Sequence, residues 1–170
     1  MKKLKYLLPE GKRMTALEVQ SKLKCDVLDN SCLDFAVCSY SFGQIIVGIA
    51  IVGVNHRIKE IRDVAFFPLD NSSGLLGNRI GSLAFGQLMM VAHEYCGAGE
   101  GYNFVYPISK MSDDFKRMLI KLNVMRWSEA NNVSNFYSAP FIPMLKQTLL
   151  SLEDIGYDVH VERKKISKLR

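Results

Sequence analysis

Residues 33 to 68 restrict the fold of this chain more than any other stretch. Leu33 to Tyr40 alternates in polarity and is rich in β-forming residues, Ser41-Phe42-Gly43 reads as a turn, and Gln44 to Val54 is dense in Ile and Val. Asn55-His56-Arg57 reads as a second turn, and Ile58 to Phe67 as a third strand stopped by Pro68. Short turns between consecutive strands permit only antiparallel neighbours, so the stretch predicts a three-stranded meander.

After Pro68 the hydrophobic period changes. A loop rich in Gly, Asn and Ser spans Leu69 to Asn78 and leads into a helix over about Arg79 to Cys96. Its apolar positions recur at three and four residues, and Gly97 supplies the stop. Tyr102 to Ser109 reads as a further strand, and Ser112 caps a shorter helix over Asp113 to Leu122, with Asp113 and Asp114 where the helix dipole favours acids. Beyond it the pattern predicts a short strand at Val124 to Ser128, a polar connection, a helix over about Phe141 to Leu152 and a last strand at Asp158 to Arg163. Before the meander, residues 14 to 24 read as an amphipathic helix. Strands, helix, strand, helix, strand is an α+β order, with the long helix crossing to a strand able to lie parallel to the third.

With 170 residues and no internal repeat or Pro/Ser-rich linker, the chain reads as one domain, residues 1–170. A hydrophobic share of 48% against a charged share of 23% excludes a disordered or collagen-like chain. The longest apolar run, Ile45 to Val54, is about half of the roughly 20 residues a membrane helix needs, so no membrane contact is expected. Met1-Lys2-Lys3-Leu4-Lys5 is followed by Pro9 and charged residues instead of an apolar export segment, which makes the cytoplasm the expected compartment. Cys25, Cys32, Cys38 and Cys96 form no C-x-x-C pair and have no matching His array, so they read as small apolar residues and no metal site is expected.

Charge is uneven. Residues 1–24 carry +5 and residues 162–170 carry +4, whereas residues 25–161 carry −4. Basic ends of this kind dock on phosphate backbones or on an acidic protein, or serve as solubilising flanks. No aromatic platform interleaves with the tail Arg163 to Arg170, which favours the flank reading.

Three runs carry a resemblance to a known family: Gly43-Gln44-Ile45-Ile46-Val47-Gly48-Ile49-Ala50, Ile61-Arg62-Asp63-Val64-Ala65-Phe66-Phe67-Pro68, and Gly77-Asn78-Arg79-Ile80-Gly81-Ser82-Leu83-Ala84. Together, over about residues 33 to 128, they resemble the GNAT superfamily of acyl-CoA N-acyltransferases. The resemblance implies a mixed, twisted sheet flanked by helices, acetyl-CoA or another acyl-CoA as co-substrate, and an amine acceptor. It also implies that Gly77, Asn78, Arg79, Ile80, Gly81 and Ser82 would hold the cofactor pyrophosphate, because a glycine-bearing turn at a helix start aims free N–H groups at an anion. Phe66 and Phe67 would lie along the pantetheine. Two features depart from the family's pattern in that loop: Leu76 stands for Arg or Gln, and Arg79 for the inner Gly.

Acyl transfer to an amine needs a proton acceptor, and a donor for the departing thiolate. Glu60, six residues before Phe66, stands where some members carry their base. Asp63 stands behind it, and strand alternation predicts that the two point to opposite faces. Leu119 occupies the place of the family's Tyr acid, which leaves Tyr106 or Tyr137 to fill the role. That absence, with the altered loop, keeps a second class open: a non-catalytic module, or a divergent acyltransferase, that binds nucleic acid or a protein through its basic ends. Competing motifs are weak. Gly97-x-Gly99-x-Gly101 follows a helix and reads as a loop. His93 has no second His four residues on, and His56 and His160 read as turn and strand residues.

Overall fold

The computed structural model of the chain describes residues 4–5, 11–15, 18, 33–42, 45–68, 80–130 and 135–167. In chain order the strands are β1 (Leu4–Lys5), β2 (Gly11–Thr15), β3 (Leu33–Phe42), β4 (Ile45–Asn55), β5 (Glu60–Pro68), β6 (Asn103–Pro107), β7 (Phe136–Pro140) and β8 (Tyr157–Asp158). The helices are α1 (Ile80–Cys96), α2 (Asp113–Lys121), α3 (Trp127–Ala130), α4 (Phe141–Ile155) and α5 (His160–Ser167). β2 to β7 form one six-stranded sheet in chain order, and β1 pairs with β8 in a separate parallel ribbon. Every pairing in the large sheet is antiparallel except β5 with β6, whose parallel pairing is allowed by the crossover through α1. The architecture is mixed α+β.

Alternation along the meander sorts the side chains by face. Ala36, Cys38, Ala50, Val52, Val54, Ile61 and Val64 join the main core with α1, while Met14, Phe35 and Ile51 form a smaller cluster on the opposite face. Residues 82–92 of α1 are buried without a break. The helix is enclosed, lying on β3 and β4 on one side and against α4 on the other. Ser112 caps α2 as its sequence predicts, its Oγ accepting the Phe115 N–H at 3.1 Å.

Four expectations need correction. Met14 and Thr15 belong to strand β2, and the Thr15 hydroxyl accepts the Glu18 N–H and donates to the Glu18 carboxylate, both at 3.2 Å; Glu18 is helical, and the rest of the expected helix lies outside the described residues. Val124 to Ser128 is not a strand. α2 ends in a Schellman motif with Asn123 at φ +59°, its N–H reaching Ile120 O at 3.0 Å and that of Val124 reaching Leu119 O at 3.1 Å, and α3 follows. The connection expected to be irregular contains β7, paired along all of β6. The last strand is only Tyr157–Asp158, after which His160 opens helix α5. The buried residues Val159 and Ile166 stand seven apart, a helical spacing that a strand reading of 158–163 overlooks.

Candidate functional site

A break in the sheet creates the candidate site. β5 and β6 pair only through Glu60 with Asn103 and Ile61 with Phe104, and then part. The physical cause is a bulge in β5. Gly53 pairs with Arg62 and Ile51 with Ala65, so β5 carries one more residue than β4 across the step. Asp63 takes the left-handed conformation at φ +56°, which Asp tolerates better than most side chains. From Val64 onward β5 follows β4 alone, and the edge that faced β6 has no strand partner among the described residues.

The start of α1 sits at the open end of this split. The helix returns from the end of β5 to the start of β6, and 17 residues span roughly 25 Å, about the length of the strand beside it. α2, which follows β6, closes in from the other side: a Cβ at Gly81 would lie 3.7 Å from Met118 Sδ. The described part of α1 begins at Ile80, and a helix's first N–H groups have no acceptor within the helix, so its dipole makes that end attractive to anions. Gly77, Asn78 and Arg79, expected to complete the phosphate loop, lie outside the described residues, as do the Gly43-Gln44 turn, Cys25 and Cys32.

Tyr106 lines the α1 side of the split. Its ring stacks on Phe115 of α2 at 4.8 Å between centroids, and lies nearly parallel to Phe104 at 6.3 Å. Burial raises its phenol above the usual range, so the group stays protonated at neutral pH. Phe66 packs on the same core, whereas Phe67 joins the cluster on the opposite face. The two phenylalanines expected to run beside one ligand therefore lie on different sides of the sheet. Tyr137, the other candidate acid, is buried and spends its hydroxyl on the Val124 carbonyl, which makes it structural.

Glu60 and Asp63 are not on opposite faces, contrary to strand alternation. The extra residue of the bulge leaves Ile61 and Val64 both in the main core, with Arg62 and Asp63 both turned outward beside Glu60. The Arg62 guanidinium lies between the two acids, 3.9 Å from Glu60 Oε2 and 3.6 Å from Asp63 Oδ2. Sequence reasoning missed Arg62 because a bulge leaves no signature in residue type. Gly53 makes room for this arrangement: a Cβ there would meet the Arg62 carbonyl oxygen and Phe35 Cε1, each at 3.2 Å. Gly53→Ala is thus expected to lower stability by about 1–3 kcal/mol, the range for overpacking, measurable as a lower urea midpoint.

Among the described residues, Cys38, Cys96 and His93 are structural. Cys38 and Cys96 are buried and unbridged, and desolvation pushes the Cys38 thiol up to about 12. A protonated thiol is a poor nucleophile, so iodoacetamide at neutral pH should label Cys38 only after unfolding; labelling of the native protein at the rate of a free thiol would contradict the burial. His93 Nδ1 lies 2.7 Å from Ala98 O at the end of α1. Lys5 of the basic N-terminal segment lies on β1 and pairs with Asp158 of β8, which leads into α5 with Arg163, Lys164 and Lys165, whereas Lys12 and Arg13 lie on β2 in the large sheet. Arg163 is ion-paired with Glu153. No described group of His, Cys, Asp or Glu is arranged to hold a metal ion, and no described helix is long and apolar enough to cross a membrane.

Comparison with protein-family models, curated proteins and solved structures finds no match to this chain.

Proposed function

We propose that this chain is an N-acyltransferase of the GNAT type, moving an acyl group, by default acetyl, from acyl-CoA to an amine in the cytoplasm. The observation that carries the reading is the split between β5 and β6, opened by the Asp63 bulge and headed by the start of α1. A strand edge with no strand partner among the described residues offers backbone groups to an extended chain containing amides, which is the chemistry of pantetheine. The helix start beside it suits a pyrophosphate.

A ligand lying between two parted strands is reachable from both faces of the sheet. In this reading the amine approaches from the outer face, where Glu60 takes its proton as the nitrogen attacks the thioester carbonyl. Tyr106, on the α1 face, returns a proton to the departing thiolate. The step is a direct transfer whose rate comes from positioning and proton removal.

Calorimetric titration with acetyl-CoA and with CoA tests the proposal. Saturable binding should raise the unfolding temperature, and ligand at 100 times Kd stabilises by about 2.7 kcal/mol. Absence of binding by both ligands refutes it. Gly81→Val should weaken binding about tenfold with little change in stability, since Gly81 is exposed, a Cβ there meets Met118 at an ordinary contact distance, and Val is no worse than Gly in a helix.

One observation favours a second reading: the β1–β8 pairing brings Lys5 beside the strand that leads into the basic helix α5. A phosphate-binding surface there would give affinity for duplex DNA that falls with salt by a slope of about 0.9 per phosphate neutralised. Deleting residues 163–170 would flatten that slope, whereas solubilising flanks give no complex at physiological ionic strength.

A further inference from the structure

A second constellation of reactive side chains lies at the opposite end of α1 from the split. His56, in the turn after β4, contacts two groups remote in sequence. Its Nδ1 is 2.6 Å from the Tyr102 hydroxyl, and its Nε2 is 3.3 Å from Asp34 Oδ2. The carboxylate at Nε2 calls for a hydrogen on that nitrogen, which leaves Nδ1 with a lone pair to accept the phenol proton. The order is carboxylate, imidazole, hydroxyl: a base oriented by an acid on one side and hydrogen-bonded to a nucleophile on the other. The site is not sealed, since the side chains of His56 and Asp34 are 37% and 20% exposed and Tyr102 is part-buried.

The surroundings fix the geometry. The Asn55 carboxamide accepts the N–H groups of Arg57 and Ile58 at 3.0 and 3.3 Å, which shapes the turn that carries His56. The peptide after Tyr102 is tied at both its polar groups, the Asn103 N–H donating to the Lys59 carbonyl at 2.9 Å and the Tyr102 carbonyl accepting the Phe141 N–H at 2.8 Å, and the Tyr102 N–H donates to the Gly99 carbonyl at 3.3 Å. A cation stands nearby: the Lys59 ammonium lies 3.9 Å from where a Cβ on Gly101 would be, one residue before Tyr102.

We propose that Asp34, His56 and Tyr102 form a second active site, an esterase-like centre in which the Tyr102 oxygen attacks small activated esters. The phenol oxygen bonds to the carbonyl carbon as its proton passes to His56 Nδ1, and the imidazolium so formed is held by the Asp34 carboxylate. Collapse of the tetrahedral adduct breaks the bond to the leaving alkoxide, which takes the proton from His56. Water then attacks the tyrosyl ester, giving its proton to His56 and regenerating the phenol. Ester and water thus yield acid and alcohol, with no other reactant. The centre uses none of the residues assigned in the acyl-CoA reading, although it borders them, since Asn103, next to Tyr102, pairs with Glu60.

The test uses p-nitrophenyl acetate with the full chain. The wild type should release a burst of nitrophenolate, and peptide mass analysis should find one acetyl group on Tyr102. Tyr102→Phe should lose both burst and adduct. Asp34→Asn, which keeps the size of the side chain, should slow the burst by roughly 10² or more, the scale of general-base contributions. Unchanged unfolding temperatures for these two variants exclude misfolding as the cause. Acetyl found only on lysines, or a burst that survives Tyr102→Phe, overturns the proposal, as does a wild-type rate no faster than that of N-acetyltyrosine amide.

Discussion

Truncating Phe104 to Ala is expected to lower the unfolding free energy by roughly 3–5 kcal/mol, the range for deleting a buried aromatic ring. Phe104 is fully buried, its ring edge-on to Phe85 at 5.8 Å and packed against Tyr106 and Tyr137 at 6.3 Å. It is also one of the two β6 residues that pair with β5, so its backbone holds the sheet together at the root of the split. The ring joins the sheet to α1, and neighbours held by a strand and two helices have little freedom to close over a cavity. Urea unfolding should show a lower midpoint with an unchanged slope. Set against the 5–15 kcal/mol typical of a domain, such a loss removes from about a fifth to all of the stability. A loss below about 1 kcal/mol would mean that the core relaxes into the space and that the ring cluster is not what holds β6 to α1.

The largest expected effect on activity is that of Glu60→Gln, which should lower kcat on a true acceptor by roughly 10² or more and leave CoA affinity nearly intact. The amide keeps the shape of the side chain and its place beside Arg62 but cannot accept the amine proton. Asp63→Asn should do less, and should fold, because Asn tolerates the φ of +56° that the bulge imposes. The Arg62 guanidinium between the two acids makes the comparison sharper, since both variants remove one negative charge from the same cation. A general electrostatic role would therefore give both variants similar losses, and a base role gives a large loss for Glu60→Gln alone. Equal kcat for wild type and Glu60→Gln would exclude Glu60 as the base.

Much of the fold was legible in the sequence because its signals are local. The β-rich run from Leu33, the helical spacing before Gly97 and the Ser112 cap are each decided by residues within a few positions of one another, and the structure has all three elements there. Where the sequence misled, a distant partner decided the conformation. Val124 and Met125 look like strand residues, yet a turn closes through the carbonyl of Leu119 and Met125 reaches the core from it. Phe136 to Pro140 carries a weak strand pattern and becomes β7 only by pairing along β6.

The same division separates the parts of the site. The sequence alone determined that a strand and then a long helix succeed one another between residues 58 and 96, because periodicity and helix stops are written into neighbouring residues. Only the tertiary structure decided that β5 leaves β6 after Ile61, that one extra residue at Asp63 turns Glu60, Arg62 and Asp63 to a single face, and that Asp34, His56 and Tyr102 meet across 46 residues of chain between the imidazole and the phenol. A bulge depends on the count of residues between two paired strands and not on what those residues are. A meeting of remote side chains depends on where the strands carry them, which no local pattern records.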